Sequence, residues 1–324
     1  MTWLVTGGAG YIGAHVVRAL RQDGTDVVVL DDLSSGHREF VPDDVPLVEG
    51  SITDRELLVR TMTEHQVEGV VHLAAFKYAG VSVQRPLHTY EQNVVGTLRV
   101  LQAMDDMGVQ CLVFSSSAAV YGTPDVDLVT EDTPTAPESP YGETKLIGEW
   151  MIRDQARVTS LRHTSLRYFN VVGSGDEDLY DTSPHNLFPV VLKTLSEGGV
   201  PRINGQDYPT PDGTNVRDYI HVADLAAAHA TAARALAEGR ELAPVYNIGS
   251  GEGLSVRQVV DTILEVTGSD VVPEVGDRRP GDPARIVASG EAASRDLGWQ
   301  MRHDVRAMVD SAWRAWRRSS DVRA

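Results

Sequence analysis

The sequence predicts an α/β fold, a doubly wound parallel sheet with a smaller C-terminal cap. Three observations lead there. Apolar strand patterns and helical patterns alternate through residues 1–170, as in a parallel sheet covered by helices on both faces. The first unit runs from Trp3-Leu4-Val5 through the glycine turn Thr6-Gly7-Gly8-Ala9-Gly10-Tyr11-Ile12-Gly13 to Val16, Val17 and Leu20 at helical spacing. From residue 171 the texture changes to long Gly/Pro/charge-rich loops between isolated helices.

The elements follow in order. Val27-Val28-Val29-Leu30 is a buried second strand ending in Asp31-Asp32. Val45–Gly50 reads as a short third strand, and Thr53 or Asp54 caps the helix after it. Gly69–Ala75 is the fourth strand. Thr89–Met107 reads as one long helix with Val94, Leu98, Leu101 and Met104 on its apolar face. Val109–Ser115 is the fifth strand, Tyr141–Ala156 a helix preceded by Pro140, and Thr164–Phe169 the sixth strand. Beyond 170, polar loops at 173–184, 205–213 and 273–282 separate helices at Val222–Leu236 and Val256–Thr267. A return strand at 245–249 rejoins the main sheet, and Trp313 and Trp316 dock a terminal amphipathic helix. The expected division is therefore a Rossmann domain at 1–170 and a mainly substrate-binding region at 171–324.

Composition bounds the class. Lys+Arg 29 against Asp+Glu 46 gives a net charge of −17, which argues against nucleic-acid or anionic-membrane partners. The single cysteine, Cys111, sits in an apolar run and cannot form an intrachain disulfide, as suits a reducing cytoplasm. No basic stretch followed by a long apolar run reads as a signal peptide, and no apolar run approaches the ~20 residues of a membrane span. The histidines show no metal spacing.

The glycine turn has the context of a dinucleotide site. Gly7 and Gly8 make the tight turn, Gly10 lets a pyrophosphate approach, and Gly13 lets helix and strand pack closely. The following helix N-terminus offers unpaired N–H groups and a positive dipole end. An acid about 20 residues on suits a ribose hydroxyl, and the pair Asp31-Asp32 would repel a 2′-phosphate, so NAD is expected over NADP. Tyr141 and Lys145 stand at i and i+4, one turn apart on one helix face. A free tyrosine, with a pKa near ~10, is a poor base at neutral pH. A neighbouring ammonium and an oxidised nicotinamide are expected to lower it. Ser117 closes the Ser115-Ser116-Ser117 run beyond the fifth strand, where a substrate hydroxyl would meet it.

With these residues the chain resembles the extended short-chain dehydrogenase/reductase superfamily, and within it the UDP-glucose 4-epimerases, over essentially its whole length. The resemblance runs through the glycine turn, His72–Lys77, Ser115–Gly122, Tyr141-Gly142-x-x-Lys145, Arg167–Asn170, Asp207–Val222 and Arg278–Asp282. It implies Ser117, Tyr141 and Lys145 as catalytic. For NAD it implies Gly7, Gly10, Tyr11, Ile12, Gly13, Asp31, Asp32, Ser34, Ser35, Gly36, Ser51, Ile52, Ala74, Ala75, Phe76, Lys77, Asn93, Ser115, Ser116 and Tyr168, with Tyr141 and Lys145. For a UDP-sugar it implies Asn170, Asn186, Leu187, Arg217, Tyr219, Arg279 and Asp282, with Lys77, Ser117 and Tyr141. Ser51 departs from an Asp that many members carry at the adenine. The family's homodimers pair helices that match 89–107 and 141–157.

The implied reaction is a transient oxidation at carbon 4. Tyr141 removes the hydroxyl proton, a 4-keto sugar turns over in the pocket, and reduction on its other face inverts the centre. Related 4,6-dehydratases resemble Thr-Asp-Glu-Val-Tyr-Gly where this chain has Ser117-Ala118-Ala119-Val120-Tyr121-Gly122, so the acids for elimination are missing. Ile286, four positions after Asp282, is implied to set the space beside the sugar's 2-substituent. UDP-glucose and UDP-galactose are then the expected pair. UDP-N-acetylglucosamine or UDP-uronate epimerisation, and a silent NAD-binding regulatory protein, are the alternatives.

Overall fold

The computed structural model describes residues 1–279 and 282–323. Six strands open the chain: β1 (Thr2–Thr6), β2 (Asp26–Asp31), β3 (Leu47–Glu49), β4 (Val67–His72), β5 (Cys111–Ser115) and β6 (Arg162–Tyr168). A further strand, Val245–Ile248, pairs in parallel with β6. The resulting sheet has seven strands in the order Val245–Ile248, β6, β5, β4, β1, β2, β3. All its pairings are parallel. The chain leaves β1 toward β2 on one side and returns at β4 on the other. The crevice at that reversal, outside the carboxyl ends of the strands, is where such sheets hold ligands.

Both sheet faces are buried, so the strands read as near-continuous apolar runs. One face packs Val5, Val29, Val71 and Val113 under helix α1 (Tyr11–Gln22) and the alanine-rich helix Val222–Ala237. The other packs Leu4, Val28, Val70, Leu112 and Phe114 under the helices Arg55–Glu64, Gly96–Met107 and Pro140–Ala156. A third cluster, around Phe188, Ile203, Tyr219, Ile263 and Met308, carries the C-terminal portion. Trp313 and Trp316 of the last helix pack against it.

Several boundaries differ from the sequence expectation. β4 stops at His72, so Leu73–Ala75 leave the sheet as loop. The expected helix Thr89–Met107 is three segments: an α-turn at Pro86–Tyr90, a π-turn at Glu91–Val95, and an α-helix at Gly96–Met107. Thr97, Val100, Leu101 and Met104 are buried, whereas Leu98 is 39% exposed. Asp54 is the cap of Arg55–Glu64, its carboxylate accepting from Leu57 N. No helix among the described residues is long and apolar enough to cross a membrane.

Candidate active site

The glycine turn is tight for reasons that can be measured. Gly7 has φ +74°, and a Cβ there would lie 2.7 Å from Ala74 N. A Cβ on Gly13 would lie 2.0 Å from Gly7 O, so α1 packs directly on the turn's backbone. No side chain caps α1, whose N-cap is Gly10. Its first N–H groups are therefore left for an anion. Asp31, buried at the end of β2, accepts from Ala9 N at 3.0 Å and from Leu33 N at 2.9 Å. Burial pushes its carboxyl up, and those two N–H groups pull it down. Asp32 is exposed and accepts from Ser34 N and Ser34 Oγ. A Cβ on Gly36 would sit 2.8 Å from Asp31 Oδ1, so the Ser34-Ser35-Gly36 loop folds down on that carboxylate. Ser51 pairs with Thr53 Oγ1 at 2.9 Å, and Ile52 packs on Gly96.

Asn93 lies in the π-turn, and its amide is spent on the protein. Its Oδ1 accepts from Phe76 N at 2.7 Å, and its Nδ2 donates to Phe76 O and Thr144 Oγ1. It braces the Ala74–Lys77 loop against the helix Pro140–Ala156. The hydroxyls of Ser115 and Ser116 are likewise used internally. Ser115 Oγ meets His229 Nε2 at 2.8 Å, and Ser116 Oγ donates to Glu149 Oε1 at 2.5 Å. Because His229 Nδ1 faces Leu225 O at 2.9 Å, Nδ1 carries the proton and Nε2 accepts from Ser115. Ser115 also takes part in a hydrogen bond with the Tyr168 phenol, whose pKa burial pushes well up.

Ser139 caps the helix Pro140–Ala156, and Pro140 fills its first position. A Cβ on Gly142 would lie 2.5 Å from Ala119 O, so this helix start presses on the short 3₁₀ turn Ala118–Tyr121. That contact brings Tyr141 to Ser117, and the two side chains hydrogen-bond. Lys145 Nζ, one turn on, donates to Ser115 O at 2.8 Å and sits 5.9 Å from the Tyr141 ring centre. Burial lowers Lys145 to about 8, opposed by Glu149. The expectation that Lys145 lowers the phenol is corrected here. Burial raises Tyr141, and the Ser117 hydrogen bond is what pulls it back. Desolvation outweighs a cation already turned to a carbonyl.

The chain belongs to the NAD dependent epimerase/dehydratase family. Its family model matches residues 3–249, which contain the glycine turn, Ser117, Tyr141 and Lys145. The chain is 45% identical to the UDP-glucose 4-epimerase of Corynebacterium glutamicum, over 97% of this chain and 95% of that one. It is 46% identical to that of Azospirillum brasilense, over 98% and 92%. A crystal structure of the Stenotrophomonas maltophila UDP-glucose-4-epimerase, with bound NAD and formylated UDP-arabinopyranose, superposes with a TM-score of 0.94. That protein is 38% identical, with both chains fully covered.

The family's cofactor fits this turn: the cradle admits no Cβ at Gly7 or Gly13, and the helix end above it is uncapped. A second cluster stands on the cap. Arg217 Nη2 pairs with Asp282 Oδ1 at 2.5 Å, and Asp282 Oδ2 accepts from Asn215 at 2.9 Å. Ile286 pairs with Arg217 in the ladder, and Tyr219 is buried beside them. Arg279 Nε reaches Asn204 Oδ1 at 3.1 Å once that amide is turned to face it. Asn170 donates to Asp218 O. Asn186, just before the helix Leu187–Ser196, donates to Asp181. After burial, Asp181 is the next cause raising the phenols of Tyr11 and Tyr78, which ties this junction to the glycine turn. Lys77 is exposed, 5.7 Å from the Tyr78 ring centre. Of the Arg278–Asp282 motif, Pro280 and Gly281 lie outside the described residues.

Sequence reasoning missed Asp218, Glu149, Arg167 and His229. Asp218 is fully buried and accepts from Ser250 N and Ala288 N, tying the end of the return strand to the Ile286 segment. Glu149 carried a signal, since it follows Lys145 by four on the same helix face.

Proposed function

We propose that the chain is an NAD-dependent UDP-glucose/UDP-galactose 4-epimerase. The observation that carries this reading is Ser117 bonded to Tyr141, with Lys145 one turn on and alanines at 118 and 119. Ser117 and Tyr141 hold the sugar's 4-hydroxyl, and Tyr141 takes its proton and later returns it to the same oxygen once carbon 4 has been reduced from its other face. NAD, when bound, would supply the hydride acceptor and donor for carbon 4. Lys145 ties the catalytic helix to the end of β5 and places a positive charge below the phenol. Asp31, Ser34–Gly36, Ala74–Lys77 and the glycine turn hold the cofactor. Asn170, Asn186, Leu187, Arg217, Tyr219, Arg279 and Asp282 hold the UDP-sugar, with guanidinium forks suited to a diphosphate. Ala118 and Ala119 offer no acid or base for eliminating water, which disfavours dehydration.

Residues 1–170 serve as the NAD domain and 171–324 mainly bind substrate. The proposed assembly is a cytoplasmic homodimer. Leu98 (39% exposed) and Trp150 (46% exposed) lie on the two helical stretches that would pair. Sedimentation of Trp150→Lys tests this, and a wild-type chain sedimenting as a monomer at micromolar concentration refutes it. For the activity, purified protein is incubated with UDP-galactose and, separately, UDP-glucose, and products are followed by NMR. Both should reach one equilibrium mixture without added NAD. Net NADH release or a 4-keto-6-deoxy product would contradict the proposal. Ile286→Gly should raise the rate on the N-acetylated pair relative to the plain pair, by relieving overpacking of about 1–3 kcal/mol.

A further inference from the structure

Ser117 lies outside both flanking elements, between the end of β5 and the 3₁₀ turn Ala118–Tyr121. Its own hydroxyl accepts from Ala119 N at 3.2 Å, which leaves its proton for Tyr141. Something else must hold this five-residue bend. Behind it lies a buried ion pair, with Glu149 7% and Arg167 5% exposed. Arg167 grips Glu149 with two bonds, Nε to Oε1 at 2.9 Å and Nη2 to Oε2 at 2.6 Å. Glu149 Oε1 also accepts from Ser116 Oγ, immediately before Ser117. Arg167 Nη1 donates to Tyr121 Oη at 2.8 Å, at the far end of the bend. Tyr121 Oη in turn donates to Asn247 Oδ1 at 2.7 Å.

We propose that the Glu149–Arg167 pair is the positioning device for Ser117, gripping the bend on both sides through the hydroxyls of Ser116 and Tyr121. This rests on the reading of Ser117 as catalytic. A buried ion pair is weak evidence for stability, because removing two charges from water offsets their attraction. Its value lies in direction. The guanidinium fork fixes the Glu149 carboxylate and the Tyr121 hydroxyl in one plane, and Glu149 in turn accepts from Ser116, so the network ends on the residues that bracket the reactive hydroxyl. Glu149 also lies one helical turn beyond Lys145, so the same carboxylate registers the catalytic helix against the bend.

Ser116→Ala and Tyr121→Phe each delete one hydroxyl and leave the ion pair in place. Turnover of UDP-galactose should fall about tenfold or more in each, as expected when a reacting group is misplaced by a fraction of an ångström. KM and the NAD released on denaturation should stay near wild type, which separates this effect from lost binding or folding. In a Ser117→Ala background the same substitutions should each cost less than about twofold, because their effect passes through Ser117. Wild-type turnover in both single variants, with Ser117→Ala slow, overturns the clamp alone. An undiminished loss in the Ser117→Ala background does the same. Wild-type turnover in Ser117→Ala overturns the catalytic reading of Ser117 and the clamp with it.

Discussion

Gly13→Ala isolates the cofactor cradle from the catalytic groups. A Cβ at residue 13 would stand 2.0 Å from Gly7 O, and 2.8 Å from both Gly7 C and Gly8 Cα. All three neighbours are backbone, so no rotamer relieves the overlap. Either the first turn of α1 lifts by more than about 1 Å or the Gly7–Gly8 turn is displaced, and overpacking of this kind costs about 1–3 kcal/mol. Both responses move the N–H groups that face the cofactor's phosphates. At 1.4 kcal/mol per decade, cofactor affinity should fall about 5- to 150-fold. The assay is NAD released on denaturation per mole of purified protein, with titration of the stripped chain. Gly24→Ala is the control. Its φ is +77° but nothing lies within 4 Å of the new Cβ. Strain of about 1 kcal/mol should lower its melting temperature without changing NAD content. Full NAD occupancy in Gly13→Ala would refute the reasoning, since the turn would not then be the cradle.

Three other perturbations separate chemistry from folding. Tyr141→Phe keeps the ring and loses the acid–base group, so turnover should drop about 10²–10⁴-fold while nucleotide-sugar binding, read by calorimetry, persists. Lys145, lowered to about 8 by burial against ~10.4 unfolded, binds fewer protons folded than unfolded across that window. Its burial therefore costs stability in full below pH 8 and ceases to do so as pH rises toward ~10.4. Lys145→Met should melt higher than wild type at pH 7 while losing turnover, with the gap narrowing above pH 8; a lower melting temperature at pH 7 would show that the Ser115 bond outweighs desolvation. Burial also lowers His15 and His229 to about 4, and His72 and His221 to about 3. The unfolded chain takes up those protons from pH ~6.5 downward, so stability should fall steeply between pH 6.5 and 4. Equal urea midpoints at pH 7 and pH 5 would contradict it.

The sequence alone determined the sheet, the glycine turn and the residues most able to do chemistry. Those are local or periodic signals. Apolar runs bounded by glycines mark buried parallel strands, and Tyr141 and Lys145 share a helix face wherever that helix packs. What it left open was set by contacts distant in the chain. Asn93, inside the π-turn at Glu91–Val95, reaches Phe76 and Thr144, and Leu98 stands outside the core its spacing suggested. The phenol's upward shift was decided by burial, opposed by Ser117, 24 positions away. Glu149, Arg167 and Tyr121 read singly as a helix acid, a strand base and a loop aromatic. Only when β6, the catalytic helix and the 3₁₀ turn close on one another do they become one network. A buried charge can be kept only where its partner arrives from elsewhere in the fold, and one-dimensional patterning carries no record of that arrival.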